Sequence, residues 1–118
     1  MSYMLLIVEP TEQRPGRTEA EGRQAYERML RYTEALKSRG VLQASESLAS
    51  IDARSARVQV RDGQRRVVDG PYAEAKEMVG GFFLLDCATR EEAIAYAADC
   101  PAAEWCSVEV RKVGPCWD

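Results

Sequence analysis

The sequence of 118 residues contains no histidine, and this absence removes several classes of catalytic chemistry. A Ser-His-Asp or Cys-His relay, an imidazole base and a histidine-ligated metal site are all excluded. Any catalysis must therefore use aspartate, glutamate, lysine, tyrosine, cysteine or arginine side chains.

The sequence also lacks long apolar runs and a strong excess of either charge. A transmembrane helix needs about 20 apolar residues, whereas the run at 3–8 has six and lacks the basic leader and cleavage site of a secretory signal. The net charge is −3 with both signs mixed, which gives no general attraction to nucleic acid or an anionic membrane. We therefore expect a cytoplasmic protein without a nucleic-acid or membrane partner.

Closely spaced cysteine pairs are missing as well, although the chain has four cysteines at 87, 100, 106 and 116. Structural zinc sites favour paired ligands, so these spacings argue against a cysteine-only zinc site. We expect small buried side chains plus one thiol near the C-terminus. We expect neither a metal nor another cofactor.

What is present indicates one domain, residues 1–118, with alternating strands and helices. The patterns predict strands at 3–8, within 41–51, at 82–87 and at 107–113, with a hairpin at 58–68 around Asp62-Gly63. They predict a helix from a capping box at 18–21 to Gly40, a short helix at 73–78, and a helix opened by a second capping box at 89–92. Each long helix should bury one stripe, namely Tyr26, Met29, Leu30, Thr33 and Leu36 in the first and Ala93, Ile94, Ala97 and Ala98 in the second.

Without the hairpin and the short helix, the order is β-α-β-β-α-β, which predicts a ferredoxin-like α+β sandwich. Both helices would cover one face of an antiparallel sheet. The other face would expose apolar side chains from 4–7 and 82–85, because both runs are apolar on both faces. A monomer rarely exposes such a surface, so we expect a homodimer with the open sheet faces packed together.

The stretch 69–81 holds most of the candidate site residues. Asp69, Glu74 and Lys76 are the candidate catalytic residues, because neighbouring carboxylates can act as acid and base and a lysine can hold an enolate-like oxygen. The candidate ligand-binding residues are Glu46, Gly70, Pro71, Tyr72 and Glu77. The same residues also fit a plain turn, an exposed strand carboxylate and a solvated short helix, with Gly80-Gly81 as a connector.

The stretch 68–86, Val-Asp-Gly-Pro-Tyr-Ala-Glu-Ala-Lys-Glu-Met-Val-Gly-Gly-Phe-Phe-Leu-Leu-Asp, strongly resembles the signature of the DGPF-type, YCII-related proteins. Tyr72 stands where that family usually has phenylalanine. Further segments that fit are 3–7, 40–42, 58–63, 100–103 and 107–111, so the resemblance covers nearly the whole chain.

This resemblance implies a dimeric α+β barrel and a small-molecule ligand. Related YCII proteins look like small enzymes with a His-Asp pair in a cleft, and that pair cannot be transferred to a chain without histidine. Two hypotheses stay open. One is an enzyme without a cofactor that performs isomerisation or elimination by proton transfer in a dimer cleft. The other is a non-catalytic ligand-sensing or regulatory module, for which the resemblance implies an association with an extracytoplasmic-function sigma factor.

Overall fold

The computed structural model describes residues 1–117. They contain six strands and two α-helices joined by loops. The strands are β1 (Ser2–Pro10), β2 (Leu42–Ser47), β3 (Ala56–Arg61), β4 (Gln64–Asp69), β5 (Glu77–Asp86) and β6 (Ser107–Lys112). The helices are α1 (Glu19–Ser38) and α2 (Arg90–Asp99), and a 3₁₀ turn at Pro101–Glu104 follows α2.

Four strands form an antiparallel sheet in the order β2-β5-β1-β6. The two strands with the longest apolar runs, β1 and β5, occupy the centre, where both faces of a strand are shielded. Both helices pack on one face, so the ferredoxin-like α+β fold predicted from the sequence is confirmed. The strand predicted within 41–51 is β2, which lies at one edge of the sheet.

The two faces of the central strands differ because side chains alternate along a strand. Tyr3, Leu5 and Ile7 of β1 are buried in the core beneath the helices, together with Phe83 and Leu85 of β5. The alternate positions form the open sheet face, and they are only half-buried: Met4, Leu6, Val8, Phe82 and Leu84.

Helix α1 begins and ends as predicted, but only part of the predicted stripe is buried: Leu36 is in the core and Met29 packs against it. The Thr18 hydroxyl accepts from the Glu21 amide at 3.1 Å, the Glu21 carboxylate accepts from the Thr18 amide at 2.9 Å, and Gly40 has a φ of +72°. The buried residues are Tyr32 and Leu36, whereas Tyr26 and Leu30 of the predicted stripe are 55% and 46% exposed. The prediction was wrong there because the first half of α1 does not press against the sheet.

Two of the four α2 positions predicted to face inward are buried. Ala93 and Ala97 are buried, while Ile94 and Ala98 are exposed. The small buried alanines let α2 lie close to the sheet, as expected for a helix without bulky inward side chains.

Strands β3 and β4 form the predicted hairpin, which pairs with no strand of the main sheet and is called the arm below. Its turn places Asp62 and Gly63 at φ +53° and +74°, as a two-residue turn of this type requires. Three valines with exposures of 50–61% share one face of the arm: Val58, Val60 and Val67. The arm helps to give the described chain its flat outline of 46 × 42 × 18 Å.

The helix predicted at 73–78 is not formed. One turn is present, in which the Ala75 amide donates to the Tyr72 carbonyl at 3.0 Å, and β5 then begins at Glu77. The Thr11 amide donates to the Lys76 carbonyl at 3.0 Å, and Glu77 pairs with Pro10. Pairing with β1 therefore overrides the local helix preference of this segment.

All four cysteines are free thiols, with Cys87 and Cys100 buried, Cys106 half-buried and Cys116 exposed. The prediction of small buried side chains and one thiol near the C-terminus is confirmed for these residues. No helix within residues 1–117 has the length and apolar content required to cross a membrane.

Candidate functional site

A cavity of about 590 Å³ lies between the first half of α1 and the helix-covered face of the sheet. Its size is in the range of small-molecule sites in proteins. Aromatic and aliphatic side chains form much of its wall: Ile7, Tyr26, Met29, Leu30, Phe83 and Trp105. The polar groups that reach it include Glu9, Arg14, Arg17, Ser45 and Glu46.

The cavity exists because α1 packs on the sheet through its second half. The Tyr32 hydroxyl donates to the Tyr96 carbonyl at 2.6 Å, and the Tyr32 ring meets Phe83 edge-on with centroids 5.2 Å apart. The first half of α1 instead faces the sheet with the small residues Gly22 and Ala25, and a Cβ atom on Gly22 would meet nothing within 4 Å. Space therefore remains where larger side chains would have filled the core.

Glu9 is a buried carboxylate that borders this cavity. It follows Tyr3, Leu5 and Ile7 in the inward alternation of β1 and is 5% exposed. Its Oε1 accepts from Arg14 Nε at 2.5 Å, and Oε2 has no hydrogen-bond donor among residues 1–117. A buried charge requires such a partner, and the second oxygen is left for a ligand.

Arg14 holds Glu9 and also fixes the loop between β1 and α1. Its Nη1 donates to the Leu48 carbonyl at 2.8 Å, and its Nη2 donates to the Gly80 carbonyl at 3.3 Å. The guanidinium thus ties the end of β1 to the segment after β2 and to β5. Arg14 therefore orients the Glu9 carboxylate within a preorganised frame.

Gly80 and Gly81 form a β-bulge in β5 below this ion pair. Ile7 pairs with Gly81 and Val8 with Val79, which leaves Gly80 as the extra residue. A Cβ atom on Gly80 would lie 2.5 Å from Glu9 Oε2 and 2.8 Å from Arg14 Nη2. The bulge therefore provides the room that the buried ion pair occupies.

Trp105 and Arg17 border the same cavity. The Arg17 guanidinium lies 5.6 Å from the centroid of the Trp105 ring, and that of Arg28 lies 5.4 Å from it. Arg28 is paired with the Glu104 carboxylate, which raises the pKa of Arg28 and lowers the pKa of Glu104. Arg17 is half-buried, and its side chain has no hydrogen-bond acceptor among residues 1–117.

Cys106 lies near the charges of this site. Burial raises the pKa of its thiol, the negative charge of Glu9 raises it further, and the positive charge of Arg17 acts in the opposite direction. The thiol is therefore mostly protonated at neutral pH and adds no charge to the site.

The stretch 69–77 lies at the base of the arm, outside the cavity. Gly70 is buried, its amide donates to the Ser55 carbonyl at 2.8 Å, and a Cβ atom there would lie 2.5 Å from the Asp52 carbonyl oxygen. The Arg57 guanidinium lies 3.8 Å from the Tyr72 ring centroid and pairs with Glu74. A backbone hydrogen bond within Glu74 and this ion pair both lower the pKa of Glu74.

Of the eight residues nominated from the sequence, only Glu46 lines the cavity. Asp69 ends β4, and the exposed Glu77 begins β5. A separate recess of about 390 Å³ is bordered by Pro71, Tyr72 and Lys76. Gly70 and Glu74 lie in the same segment at the base of the arm. The structure of the chain thus does not bring the candidate catalytic trio Asp69, Glu74 and Lys76 into the cavity. Their catalytic role stays a prediction.

The sequence reading missed Glu9, Arg14 and Arg17. A usable signal for Glu9 was its place in the alternation, because residues 3, 5, 7 and 9 of one strand share a face. A carboxylate at a core-facing position needs a nearby cation, and Arg14 follows five residues later. No comparable signal identified Arg17, whose position depends on how the loop returns to Trp105.

Among residues 1–117, no group of three cysteine, aspartate or glutamate side chains is arranged to hold a metal ion.

The chain belongs to the YCII-related domain family, which it matches over residues 1–116. It is also similar to an uncharacterised protein of Rhizobium meliloti (strain 1021), with 51% identity over 37 residues, which are 31% of this chain and 30% of that protein's length. Among solved structures, it resembles the 5-chloro-2-hydroxyhydroquinone dehydrochlorinase of Burkholderia phenoliruptrix AC1100 in complex with 2,5-dihydroxybenzoquinone. That likeness has a TM-score of 0.55 at 16% identity and covers 97% of this chain and 94% of the other, so it supports the fold.

Proposed function

We propose that the protein binds a small organic molecule in the cavity beneath α1 and catalyses a proton transfer on it. The observation that carries this proposal is the Glu9 carboxylate, which is buried beside the cavity with Oε1 held by Arg14 and Oε2 without a donor among residues 1–117. A positioned carboxylate within reach of a ligand is a suitable group for taking a proton.

The proposed reaction class is isomerisation or elimination. Glu9 Oε2 takes a proton from an acidic C–H or O–H group. In an isomerisation the electron pair left behind shifts a double bond and Glu9 returns the proton to another carbon, whereas in an elimination the electron pair expels a leaving group as an anion and the proton passes from Glu9 to water. The solved structure with the same fold is named as a dehydrochlorinase, and loss of hydrogen chloride is an elimination of this kind. The cavity mixes apolar and polar walls and is partly shielded from solvent, so electrostatic interactions within it are stronger than in bulk water.

A ligand-sensing module without turnover is the second candidate, and the arm favours it. Its three exposed valines offer an apolar surface for another protein chain. The association with an extracytoplasmic-function sigma factor that the family resemblance implies belongs to this candidate. In that case the cavity binds the same ligand but returns it unchanged.

We also propose that the chain forms a homodimer through the open sheet face. The half-buried side chains of Met4, Leu6, Val8, Phe82 and Leu84 support this assembly, because they form a continuous apolar surface on the two central strands.

The enzymatic proposal is tested with Glu9→Gln and the matched change Asp69→Asn at the arm. Both replace a carboxylate by the amide of the same shape. A panel of cyclic ketones, quinones and chlorinated hydroquinones is incubated with each protein in D₂O, and NMR records deuterium incorporation and product formation.

The proposal that Glu9 is the base predicts that the wild type and Asp69→Asn act alike and that Glu9→Gln loses activity by about 100-fold or more, because general-base catalysis contributes about that factor. A catalytic Asp69, as predicted from the sequence, gives the opposite result. Circular dichroism and the melting temperature establish that each variant is folded. Full activity of Glu9→Gln together with loss of activity in Asp69→Asn would show that the reaction takes place at the base of the arm. Binding by the wild type without exchange or product would favour the sensing candidate.

A further inference from the structure

Arg17 differs from Arg14, the other arginine that lines the cavity, in having no ion-pair partner among residues 1–117, although the charge of Glu21 acts on it from a greater distance. Arg14 is paired with Glu9, whereas Arg17 forms no ion pair or side-chain hydrogen bond with any of residues 1–117. The residue is half-buried and lines the cavity. The five N–H donors of its guanidinium thus have no acceptor among residues 1–117.

The backbone that carries this cation is held by its surroundings. The Arg17 amide donates to the Arg14 carbonyl at 3.1 Å, and the next residue, Thr18, is the N-cap of α1. The guanidinium lies near the Trp105 ring, and the Trp105 carbonyl accepts from Gln13 of the same loop. Both the loop and the ring that carry the site are therefore held in place before any ligand arrives.

The other carboxylates at the cavity do not neutralise Arg17. Glu9 is engaged by Arg14, and Glu19 is paired with Arg23 at 2.7 Å on the exposed side of α1. Glu46 is exposed on the edge strand β2 and forms no ion pair with Arg17. An anion that enters the cavity can thus take the Arg17 donors without displacing a protein group.

The walls add a preference for flat molecules. Tyr26, Phe83 and Trp105 all line the cavity, and aromatic side chains pack favourably against planar rings. A guanidinium beside such a ring system binds a planar carboxylate or an ionised hydroxyl with two parallel hydrogen bonds or one charge-assisted bond.

We infer that the cavity selects planar organic anions, aromatic or quinonoid rings that carry a carboxylate or an ionised hydroxyl, and that Arg17 binds the anionic oxygen. This inference rests on the proposed function, because it names the substrate class of the same cavity. In that arrangement Arg17 holds the negative end of the ring, and it stabilises charge that develops on an oxygen when Glu9 removes a proton.

Arg28 offers a matched control. It approaches the same Trp105 ring at nearly the same distance as Arg17, but it is neutralised by Glu104 and does not line the cavity. Arg17→Gln and Arg28→Gln therefore remove similar contacts with the ring and the same charge, while only the first removes the donors that face the cavity.

The experiment measures the affinities of 2-naphthoate and its neutral analogue 2-naphthamide by isothermal titration calorimetry for the wild type, Arg17→Gln and Arg28→Gln. We expect the wild type and Arg28→Gln to bind the carboxylate at least about tenfold more tightly than the amide, because charge-assisted hydrogen bonds contribute that much or more. Arg17→Gln should bind both compounds with similar affinity.

Equal affinity of the wild type for the two compounds overturns the anion inference while leaving the cavity as a binding site. If Arg17→Gln still binds 2-naphthoate more tightly than 2-naphthamide, the inference is also overturned, because another group then binds the carboxylate. Absence of binding by either compound at millimolar concentration contradicts both the inference and the proposed function. A variant that loses its native circular dichroism is replaced by Arg17→Lys, which keeps the charge and should retain part of the discrimination.

Discussion

At the scale of single residues, the Glu9 carboxylate carries a cost that its surroundings must offset. Removing a charge from water costs several kcal/mol, and a well-placed partner returns that free energy only when the geometry is good. Arg14 provides the partner, and the carbonyl groups of Leu48 and Gly80 each accept a hydrogen bond from one of its Nη nitrogens. A buried pair that leaves one carboxylate oxygen open is more useful for binding or proton transfer than for stability.

The buried thiol of Cys100 predicts how stability depends on alkaline pH. Cys100 is 1% exposed, and burial raises the pKa of its thiol to about 11. The unfolded chain releases this proton near pH 9, so the folded state binds more protons between about pH 9 and 11, and its stability falls as pH rises through that window.

We expect the free energy of unfolding of the wild type to fall by about 2 kcal/mol more between pH 8 and 10.5 than that of Cys100→Ala, as measured by urea denaturation. Cys116→Ala is the control, because Cys116 is exposed and should leave the slope unchanged. Parallel slopes for the wild type and Cys100→Ala would show that the thiol ionises as freely in the folded chain as in the unfolded one.

At the scale of secondary-structure elements, the bulge in β5 and the small residues of α1 create the site together. The bulge opens room for Glu9 and Arg14, and Gly22 and Ala25 keep α1 from filling the cavity. Two glycines therefore have different roles at the same site. Gly80 makes room for protein atoms, and Gly22 leaves room for a ligand.

This difference predicts opposite effects of one substitution. Gly80→Ala should destabilise the protein by about 1–3 kcal/mol, because its Cβ atom would lie 2.5 Å from Glu9 Oε2 and the ion pair must shift. Gly22→Ala should stabilise it by about 0.5–1 kcal/mol, because the site is helical and its Cβ atom meets nothing within 4 Å. Chemical denaturation measures both changes. Equal effects at the two positions would contradict this description of the cavity.

The sequence predicted most elements and their ferredoxin-like arrangement, but not how closely α1 packs on the sheet or where the segment 73–78 pairs. Capping boxes, the Asp62-Gly63 turn and apolar runs are local signals, and they located both helices, the arm and the strands. The short helix at 73–78 was wrong because pairing with β1, at a distance in sequence, decides the conformation of Glu77. The stripe of α1 was wrong at Tyr26 and Leu30 because a hydrophobic period does not reveal that a helix stands away from the sheet.

The candidate site was harder to predict for the same reason. Asp69, Glu74 and Lys76 are close in sequence, and this closeness favoured them, yet they lie at the base of the arm. Glu9, Arg17 and Trp105 border one cavity although they are separated by up to 96 positions in the chain. Only tertiary packing brings such residues together.

At the scale of the whole molecule, the arm and the open sheet face are the surfaces that one protomer leaves uncovered. The arm protrudes with three exposed valines, and the sheet face opposite the helices is apolar along both central strands. Monomeric soluble proteins rarely leave contiguous apolar surfaces of this kind in water. A second copy of the chain would cover the sheet face with an identical surface.

We therefore expect sedimentation equilibrium at micromolar concentration to give twice the mass of one chain. Leu84→Glu places a charge in the centre of the open face and should produce a folded monomer. Val60→Glu tests whether the arm also contributes to the dimer interface. It should weaken the dimer only if the arm contacts the second chain. A wild-type chain that sediments as a monomer would contradict the proposed assembly.

The central claim is that the cavity beneath α1, rather than the recess at the base of the arm, binds the ligand. The most direct test is a titration of ¹⁵N-labelled protein with 2-naphthoate and 2-naphthamide, followed by amide and indole chemical shifts. The largest changes should occur at Gly22, Ser45, Gly81 and Trp105, which line the cavity. Changes concentrated at Tyr72, Ala73 and Ala75, which line the recess instead, would contradict the claim.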